Sequence, residues 1–330
     1  MMQRPWRPRQ APRLRPGALV RVRSADAILA TLDTRGELDG LPFMPEMLAF
    51  CGRTMKVAAV ALKACDTIGQ TNHHRMRNAV HLEEARCDGS GHGGCQAACL
   101  LYWKDVWLEP LDQPSPPAEG SSVRCSKDAL HAATRRSADE PDGEVYSCQA
   151  TELLRAAPEE LRWWDVRTYL RDVRSGNIGS RPMLRALGVM LVNKFQGFSR
   201  RFLPARLRYH GGRMYPFIEG ELERTPHELL GLQPGERVRV KSRQAIVATL
   251  DTKNRNRGLS FDCEMLRYCG QEVTVRDRVR RIIDEKTGKM LQFDNPCITL
   301  EGVTCRGDFH LYCPRAIYPY WREIWLERSP

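Results

Sequence analysis

The sequence lacks the signatures that most directly identify a protein class. No run of 18 or more apolar residues occurs among its 330 residues, so we expect no transmembrane helix. A Gly-rich phosphate loop, a nucleophile elbow and an H-E-x-x-H motif are also missing. The sequence therefore gives no motif evidence for a P-loop nucleotide-binding enzyme, an α/β-hydrolase or a zinc metalloprotease.

The N-terminal segment lacks the apolar core of a secretory signal. Residues 1–15 contain five Arg and no acidic residue, and no apolar segment follows them. Proline and arginine cannot build a core, so we predict a disordered basic tail over residues 1–15. The expected location is the cytoplasm, with peripheral attachment to a membrane as a further option.

Acidic residues are scarce in the middle of the chain. The net charge of the whole protein is +11, but residues 155–213 contain twelve Arg and one Lys against four acidic residues. Such a concentration fits an anionic partner: membrane lipid, nucleic acid or an acidic protein. A solvated Arg-rich surface without a partner is the alternative. The candidate partner-binding residues are Arg181, Arg185, Lys194, Arg200 and Arg201.

An internal repeat organises the rest of the sequence. Residues 16–33 and 234–251 are identical at twelve of eighteen positions, and the offset of 218 then continues without a gap. We predict an internal duplication with copy A over 16–110 and copy B over 234–330. A linker over 111–145, rich in Pro, Ser, Gly and Asp, and a basic helical middle segment over 146–233 would separate the copies.

The pattern within each copy favours a mainly β fold with α insertions. Val20 and Val22, like Val238 and Val240, alternate with basic residues as in a strand. Ser24 and its equivalent in copy B are expected to cap a short helix. Later segments alternate again, which gives four to five strands per copy. We therefore predict two homologous, small SH3-like β-barrel domains bridged by a helical segment.

Applying the same offset to the twelve cysteines selects a candidate metal site in each copy. Three Cys and one His recur at equivalent positions, whereas the remaining Cys do not. Thiolate and neutral imidazole are zinc donors, and four of them complete a tetrahedron. The candidate ligands are Cys51, Cys87, His92 and Cys95 in copy A and Cys269, Cys305, His310 and Cys313 in copy B.

Two alternatives to a zinc site remain open at this point. Cys99 adds a fourth thiol to copy A, so a [4Fe-4S] or [2Fe-2S] cluster is also compatible with the sequence. Buried free cysteines beside an unrelated histidine would need no metal at all. Copy B has no counterpart of Cys99, so the two copies could differ in role.

Two further sets of residues recur in both copies. The carboxylates Asp33, Glu46, Asp251 and Glu264 are candidates for a general base or for orienting a ligand, although such residues more often cap turns. The tryptophans Trp103, Trp107, Trp321 and Trp325 are more simply explained by core packing than by an aromatic surface.

These observations favour a metal-binding tandem-repeat protein that acts as a binding or adaptor module for an anionic partner. A metalloenzyme or redox protein is the first alternative, with an iron–sulfur cluster or an open zinc site in one or both copies. A peripheral membrane protein, with residues 182–203 lying in the interface, is the second.

Overall fold

The computed structural model describes residues 14–69, 73–112, 125–137 and 144–329. The chain divides into two compact units. Unit 1 contains the described residues of 1–95, 99–177 and 283–290, and unit 2 contains those of 96–98, 178–282 and 291–329. The predicted basic tail lies almost wholly outside the described residues, as does much of the predicted linker.

Unit 1 is built from short strands and helices. Its strands are β1 (Leu19–Val22), β2 (Glu37–Leu38), β3 (Leu41–Pro42), β4 (Thr54–Val60), β5 (Lys63–Cys65), β6 (His73–Arg75), β7 (Ala79–Arg86), β8 (Leu100–Lys104), β9 (Leu108–Pro110), β10 (Arg135–Ser137), β11 (Val145–Tyr146) and β12 (Glu160–Leu161). Its helices are α1 (Ala25–Leu29), α2 (Lys127–Ala133), α3 (Leu153–Ala156) and α4 (Val166–Ser175), with 3₁₀ helices η1 (Pro45–Phe50) and η2 (Asp105–Trp107).

Unit 2 repeats many of these elements. Its strands are β13 (Arg237–Val240), β14 (Arg255–Asn256), β15 (Leu259–Ser260), β16 (Glu272–Ile283), β17 (Met290–Leu300) and β18 (Leu326–Arg328). Its helices are α5 (Ser180–Phe202) and α6 (Arg243–Val247), with 3₁₀ helices η3 (Ala205–Leu207), η4 (Tyr209–Gly212), η5 (Cys263–Tyr268) and η6 (Glu323–Trp325).

A curled antiparallel sheet forms the centre of each unit, so the prediction of a mainly β protein is confirmed. The strand order is β8-β7-β4-β1-β9 in unit 1 and β17-β16-β13-β18 in unit 2. Strand β1, which lies between β4 and β9, buries Val20 and Val22 completely, while Leu19 stays half exposed. Alternation of this kind places one face of the sheet on the core.

Positions 218 residues apart have the same strand register. Val20 pairs with Met55 on one side and Pro110 on the other. In unit 2, Val238 pairs with Val273 and Arg328, which are the equivalent positions. The small hairpins β2-β3 and β14-β15 also correspond residue for residue. The shared sequence pattern therefore produces the same local pairing twice.

Helix caps and tryptophans correspond in the same way. The side chain of Ser24 accepts a hydrogen bond from the amide of Ala27, as predicted for an N-cap, and Ser242 caps α6 identically. The four repeated tryptophans are fully buried, which confirms core packing. The indole N–H of Trp107 donates to the hydroxyl of Thr31 at 3.0 Å, so this large side chain satisfies its polar atom inside the core.

Helices α4 and α5 form where the sequence predicts helices in the basic middle segment. Asp165 caps α4 through its carboxylate and Gly176 ends it in the left-handed conformation. Pro182 sits in the first turn of α5, where its missing N–H costs nothing. Within the part of the chain that the structure describes, no helix combines the length and hydropathy needed to cross a membrane.

Asp105, the first residue of η2, makes the stability of unit 1 depend on pH. Burial raises the pKa of its carboxyl to about 6 from 3.8, although Lys104 opposes the change. Because the folded-state pKa exceeds the unfolded-state value, the protonated form stabilises the fold below pH ~4, and this contribution is lost as the pH rises through ~6.

We therefore expect Asp105→Asn to raise the free energy of unfolding at pH 7 by up to about 3 kcal/mol, with the gain vanishing near pH 4. Urea denaturation of both proteins between those pH values measures the difference. Glu83→Gln on the exposed face of β7 is the control, since its side chain is half exposed. A difference between Asp105→Asn and the parent that is independent of pH would contradict this account.

Candidate metal centres

The loop between β7 and β8 folds back on itself in unit 1. The amide of Cys87 donates to the carbonyl of Cys99 at 2.9 Å and closes the base of the loop. Inside it, the amides of His92 and Gly94 both donate to the carbonyl of Gly89. Gly89 has a positive φ of 76°, and a Cβ there would lie 2.2 Å from the carbonyl oxygen of Cys95. Only glycine fits this turn, which directs His92 towards Cys87.

Helix η1 supplies a carboxylate to the same place. The thiol of Cys87 donates to Oε1 of Glu46 at 3.1 Å, and Nε2 of His92 lies 3.4 Å from the sulfur. Nδ1 of His92 is 3.5 Å from Glu46 Oε1. A Cβ on Gly91 would come within 2.6 Å of Glu46 Oε2, so the absence of a side chain lets the loop approach η1.

Glu46, Cys87 and His92 form a buried group of potential ligands. His92 is 2% exposed and Glu46 is 7% exposed. Among the described residues, Oε2 of Glu46 and Nδ1 of His92 have no hydrogen-bond partner. An unsatisfied buried polar atom costs about 1–3 kcal/mol, and coordination of a cation by either atom would offset that cost. We refer to these three residues as the unit 1 site.

The electrostatics of the unit 1 site depend mainly on burial. Burial raises the pKa of the Cys87 thiol well above its ordinary value, and the nearby Glu46 and Cys99 raise it further. Burial lowers the pKa of His92, against the opposing influence of Glu46 and Asp88. The imidazole is therefore neutral at physiological pH, which is the form that binds metal. A divalent cation would favour the thiolate of Cys87.

The other predicted ligands of copy A lie elsewhere. The sulfur of Cys95 accepts the amide of Ile283 at 3.4 Å, and its thiol lies beside Cys148, whose pKa burial raises to about 11. Cys51 follows η1, with its sulfur 4.0 Å from the carbonyl of Met47. Within the described residues, neither Cys51 nor Cys95 shares the unit 1 site, whereas Cys99 is close enough to affect Cys87.

The equivalent loop in unit 2 has the same backbone. The amide of Cys305 donates to the carbonyl of Ile317 at 2.8 Å, and the amides of His310 and Tyr312 both donate to the carbonyl of Gly307. These positions correspond to Cys87, Cys99, His92, Gly94 and Gly89 of unit 1. The turn that positions the histidine is therefore common to both units.

A different group of ligands meets the histidine in unit 2. Asp262, Cys263 and His310 lie close enough to share a metal, and we refer to them as the unit 2 site. Nε2 of His310 is 3.3 Å from Asp262 Oδ2, and the Cys263 thiol donates to Asp262 Oδ1 at 3.5 Å. The side chains of Asp262 and His310 are 45% and 42% exposed, so solvent reaches this site.

Burial and neighbouring charges have opposite effects on the pKa values of the unit 2 site. Burial raises the pKa of Asp262, but the hydrogen bond and charge of His310 outweigh it and hold the pKa below its ordinary value. Burial raises the pKa of Cys263. Glu264, the counterpart of Glu46, accepts a hydrogen bond from the amide of Phe309 at 2.7 Å, and its Oε2 has no hydrogen-bond partner in the part of the chain that the structure describes. Burial also raises the pKa of this carboxyl.

The remaining predicted ligands of copy B are outside the unit 2 site as far as the described residues extend. Cys269 follows η5, where burial raises its pKa and Arg243 lowers it. Cys313 is buried in the loop and Cys305 is partly buried at its base. Sequence reasoning missed Asp262 and Cys263, because Cys263 corresponds to Pro45 in copy A. The one indication of these two ligands in the sequence is that they directly precede Glu264, which matches Glu46 of copy A.

Asp33 and Asp251 cap turns. Oδ1 of Asp33 accepts the amides of Arg35 and Glu37, and Oδ1 of Asp251 accepts those of Lys253 and Arg255. Carboxylates commonly close turns in this way. The five predicted partner-binding residues all lie on α5 with exposed side chains: Arg181, Arg185, Lys194, Arg200 and Arg201.

Comparison with known proteins identifies no relative, because no family model, curated protein or solved structure matches this chain.

Proposed function

We propose that this protein binds two metal ions, one at the unit 1 site and one at the unit 2 site, and uses the metal-stabilised units as an adaptor for an anionic partner. The observation that carries the proposal is the unit 1 site itself. A thiol, an imidazole and a carboxylate converge in the interior of unit 1, and two of their polar atoms lack hydrogen-bond partners among the described residues.

Zinc suits the donor sets better than an iron–sulfur cluster. Each site offers one sulfur, one imidazole and one carboxylate, a mixture of donors typical of Zn²⁺. Iron–sulfur clusters are held mainly by several thiolates. Cys99 raises the pKa of Cys87 by its charge, and its thiol would complete a closed, four-coordinate structural site.

A zinc enzyme is the second candidate function, and the exposure of the unit 2 site favours it. Catalytic zinc sites use three protein ligands and keep one position for water or substrate. Asp262, Cys263 and His310 provide three, and solvent reaches two of them. Glu264 would then stand beside the site as a candidate acid or base, since burial raises the pKa of its carboxyl.

The proposal includes an internal duplication of an SH3-like barrel. Its support is the constant offset of 218, the identical strand registers and the common turn before each histidine. After duplication, the two units would have come to use different thiols: Cys87, directly after β7, in unit 1 and Cys263, at the start of η5, in unit 2. A small barrel gains stability from such a metal crosslink because its core is small.

Elemental analysis of protein purified without chelator tests the proposal. We expect about two equivalents of zinc, falling to about one in His92→Ala and in Cys263→Ser. Cys65→Ser and Cys297→Ser, which change cysteines outside both sites, should retain both equivalents. Less than about one equivalent of any transition metal in the parent protein would overturn the proposal, and a brown iron-containing protein would replace zinc by a cluster.

A further inference from the structure

Helix α5 exposes a continuous row of large apolar side chains. Leu184, Leu191, Phe195, Phe198 and Phe202 are each 52–68% exposed. At roughly 100° per residue, these five fall within an arc of roughly 60°, so they form one apolar stripe along the helix. The stripe spans roughly 27 Å at a rise of 1.5 Å per residue.

The opposite side of α5 is the side that packs on the protein. Met183 and Ala186 are buried there. Nε2 of Gln196 donates to the carbonyl of Tyr209 at 3.0 Å, and Oδ1 of Asn193 accepts the amide of Tyr215 at 2.7 Å. The helix therefore has a core-facing side of its own, and the apolar stripe is additional to it. Exposed apolar rows of this extent mark interaction surfaces.

Positive charge lines the stripe on both sides. Helix α5 contains no acidic residue. Helical geometry places Lys194 and Arg201 along one flank of the stripe and Arg181 and Arg185 along the other. All four side chains are exposed. The guanidinium of Arg201 also lies 5.3 Å from the ring centre of Phe202, which keeps apolar and cationic groups together at the end of the helix.

We propose that α5 docks on an anionic lipid surface, with the apolar stripe inserted below the headgroups and the four flanking cations among them. This assignment names the anionic partner in the proposed adaptor function. A bilayer provides both a continuous apolar layer and negative charge over the full length of the stripe. Nucleic acid matches the cations, but it offers no burial for aliphatic residues such as Leu184 and Leu191.

Cosedimentation with vesicles tests the assignment. The full chain should bind phosphatidylcholine vesicles that contain phosphatidylserine, and should bind pure phosphatidylcholine vesicles weakly. Leu191→Asp combined with Phe198→Asp should weaken binding at least about a hundredfold, since two buried apolar side chains are lost. Leu229→Asp is the matched control: Leu229 is equally exposed but lies outside α5, so binding should not change.

Salt separates the two contributions. Lys194→Gln combined with Arg201→Gln should weaken binding about tenfold at low salt, and this difference should disappear at high salt. The effect of Leu191→Asp with Phe198→Asp should persist at high salt. Lys253→Gln with Arg224→Gln, two exposed positions outside α5, should leave binding unchanged.

Three results would overturn the lipid assignment: no binding of the parent protein to anionic vesicles, binding to nucleic acid alone, or a parent dimer that becomes monomeric in the stripe variant without any vesicle binding. Zinc content is measured on the same preparations. Vesicle binding by a protein that contains no zinc would refute the metal sites and support the lipid assignment. Two equivalents of zinc in a protein that does not bind vesicles would support the metal sites and refute the lipid assignment.

Discussion

Cys87→Ser should abolish the stabilisation that zinc gives to unit 1. At free zinc one hundred times the dissociation constant, the bound metal should raise the free energy of unfolding of the parent protein by about 2.7 kcal/mol per site. The variant keeps a hydrogen-bonding group beside Glu46 but loses the thiolate. Chemical denaturation with zinc and with chelator measures this increment separately for each protein.

Comparing each protein with its own chelated form separates metal binding from packing. A smaller side chain in a buried place lowers stability in both forms, so only the difference between the forms reports the metal. Cys65→Ser, on strand β5, is the control and should keep the full increment. If the two variants respond equally to zinc, Cys87 is not a ligand and the unit 1 site is wrong.

Asp172→Ala should destabilise unit 1 by about 3–5 kcal/mol. The carboxylate of Asp172 on α4 accepts a hydrogen bond from Nζ of Lys63 on β5 at 2.5 Å, and both side chains are 1% exposed. Burial raises the pKa of Asp172 even though Lys63 opposes the change. Removing the carboxylate takes a charged hydrogen-bond partner from the buried ammonium group of Lys63, which costs more than the pair itself contributes.

Two comparisons make this result specific to the buried pair. Lys63→Met combined with Asp172→Leu should recover most of the lost stability, because neither charge remains to be desolvated. Arg77→Ala breaks an exposed ion pair with Glu159 in the same unit and should cost less than about 1 kcal/mol. A loss in Asp172→Ala no larger than that in Arg77→Ala would show that the buried pair contributes no more than an exposed one.

The two proposed sites show how one backbone can hold different ligand sets. The turn that carries His92 or His310 is the same in both units, and in each a 3₁₀ helix lies against it. Unit 1 completes its site from the end of β7 with Cys87, whereas unit 2 uses Asp262 and Cys263 before and at the start of η5. The result is a buried site in one unit and a partly exposed one in the other, which suits a structural metal and a reactive one respectively.

Much of the fold could be predicted because its signals are local. Alternation identified β1 and β13, and a serine before an apolar run identified the caps of α1 and α6. The basic helical segment predicted over residues 146–233 contains α5. The sequence did not reveal which side of α5 is buried, because packing partners such as Tyr209 and Tyr215 decide that.

The sequence by itself determined the matching residues at a constant offset of 218, the strands that they form and the histidine found in both proposed sites, since these depend on residue types at a constant spacing. Only the tertiary structure decided which side chains meet that histidine. Cys51 and Cys95 recur in copy B, yet they lie outside the unit 1 site, whereas Cys263 has no counterpart and lies beside His310. The physical reason is that ligands bind through space: residues 263 and 310 are far apart in the chain, and only the packing of η5 on the loop brings their donor atoms within reach of one metal.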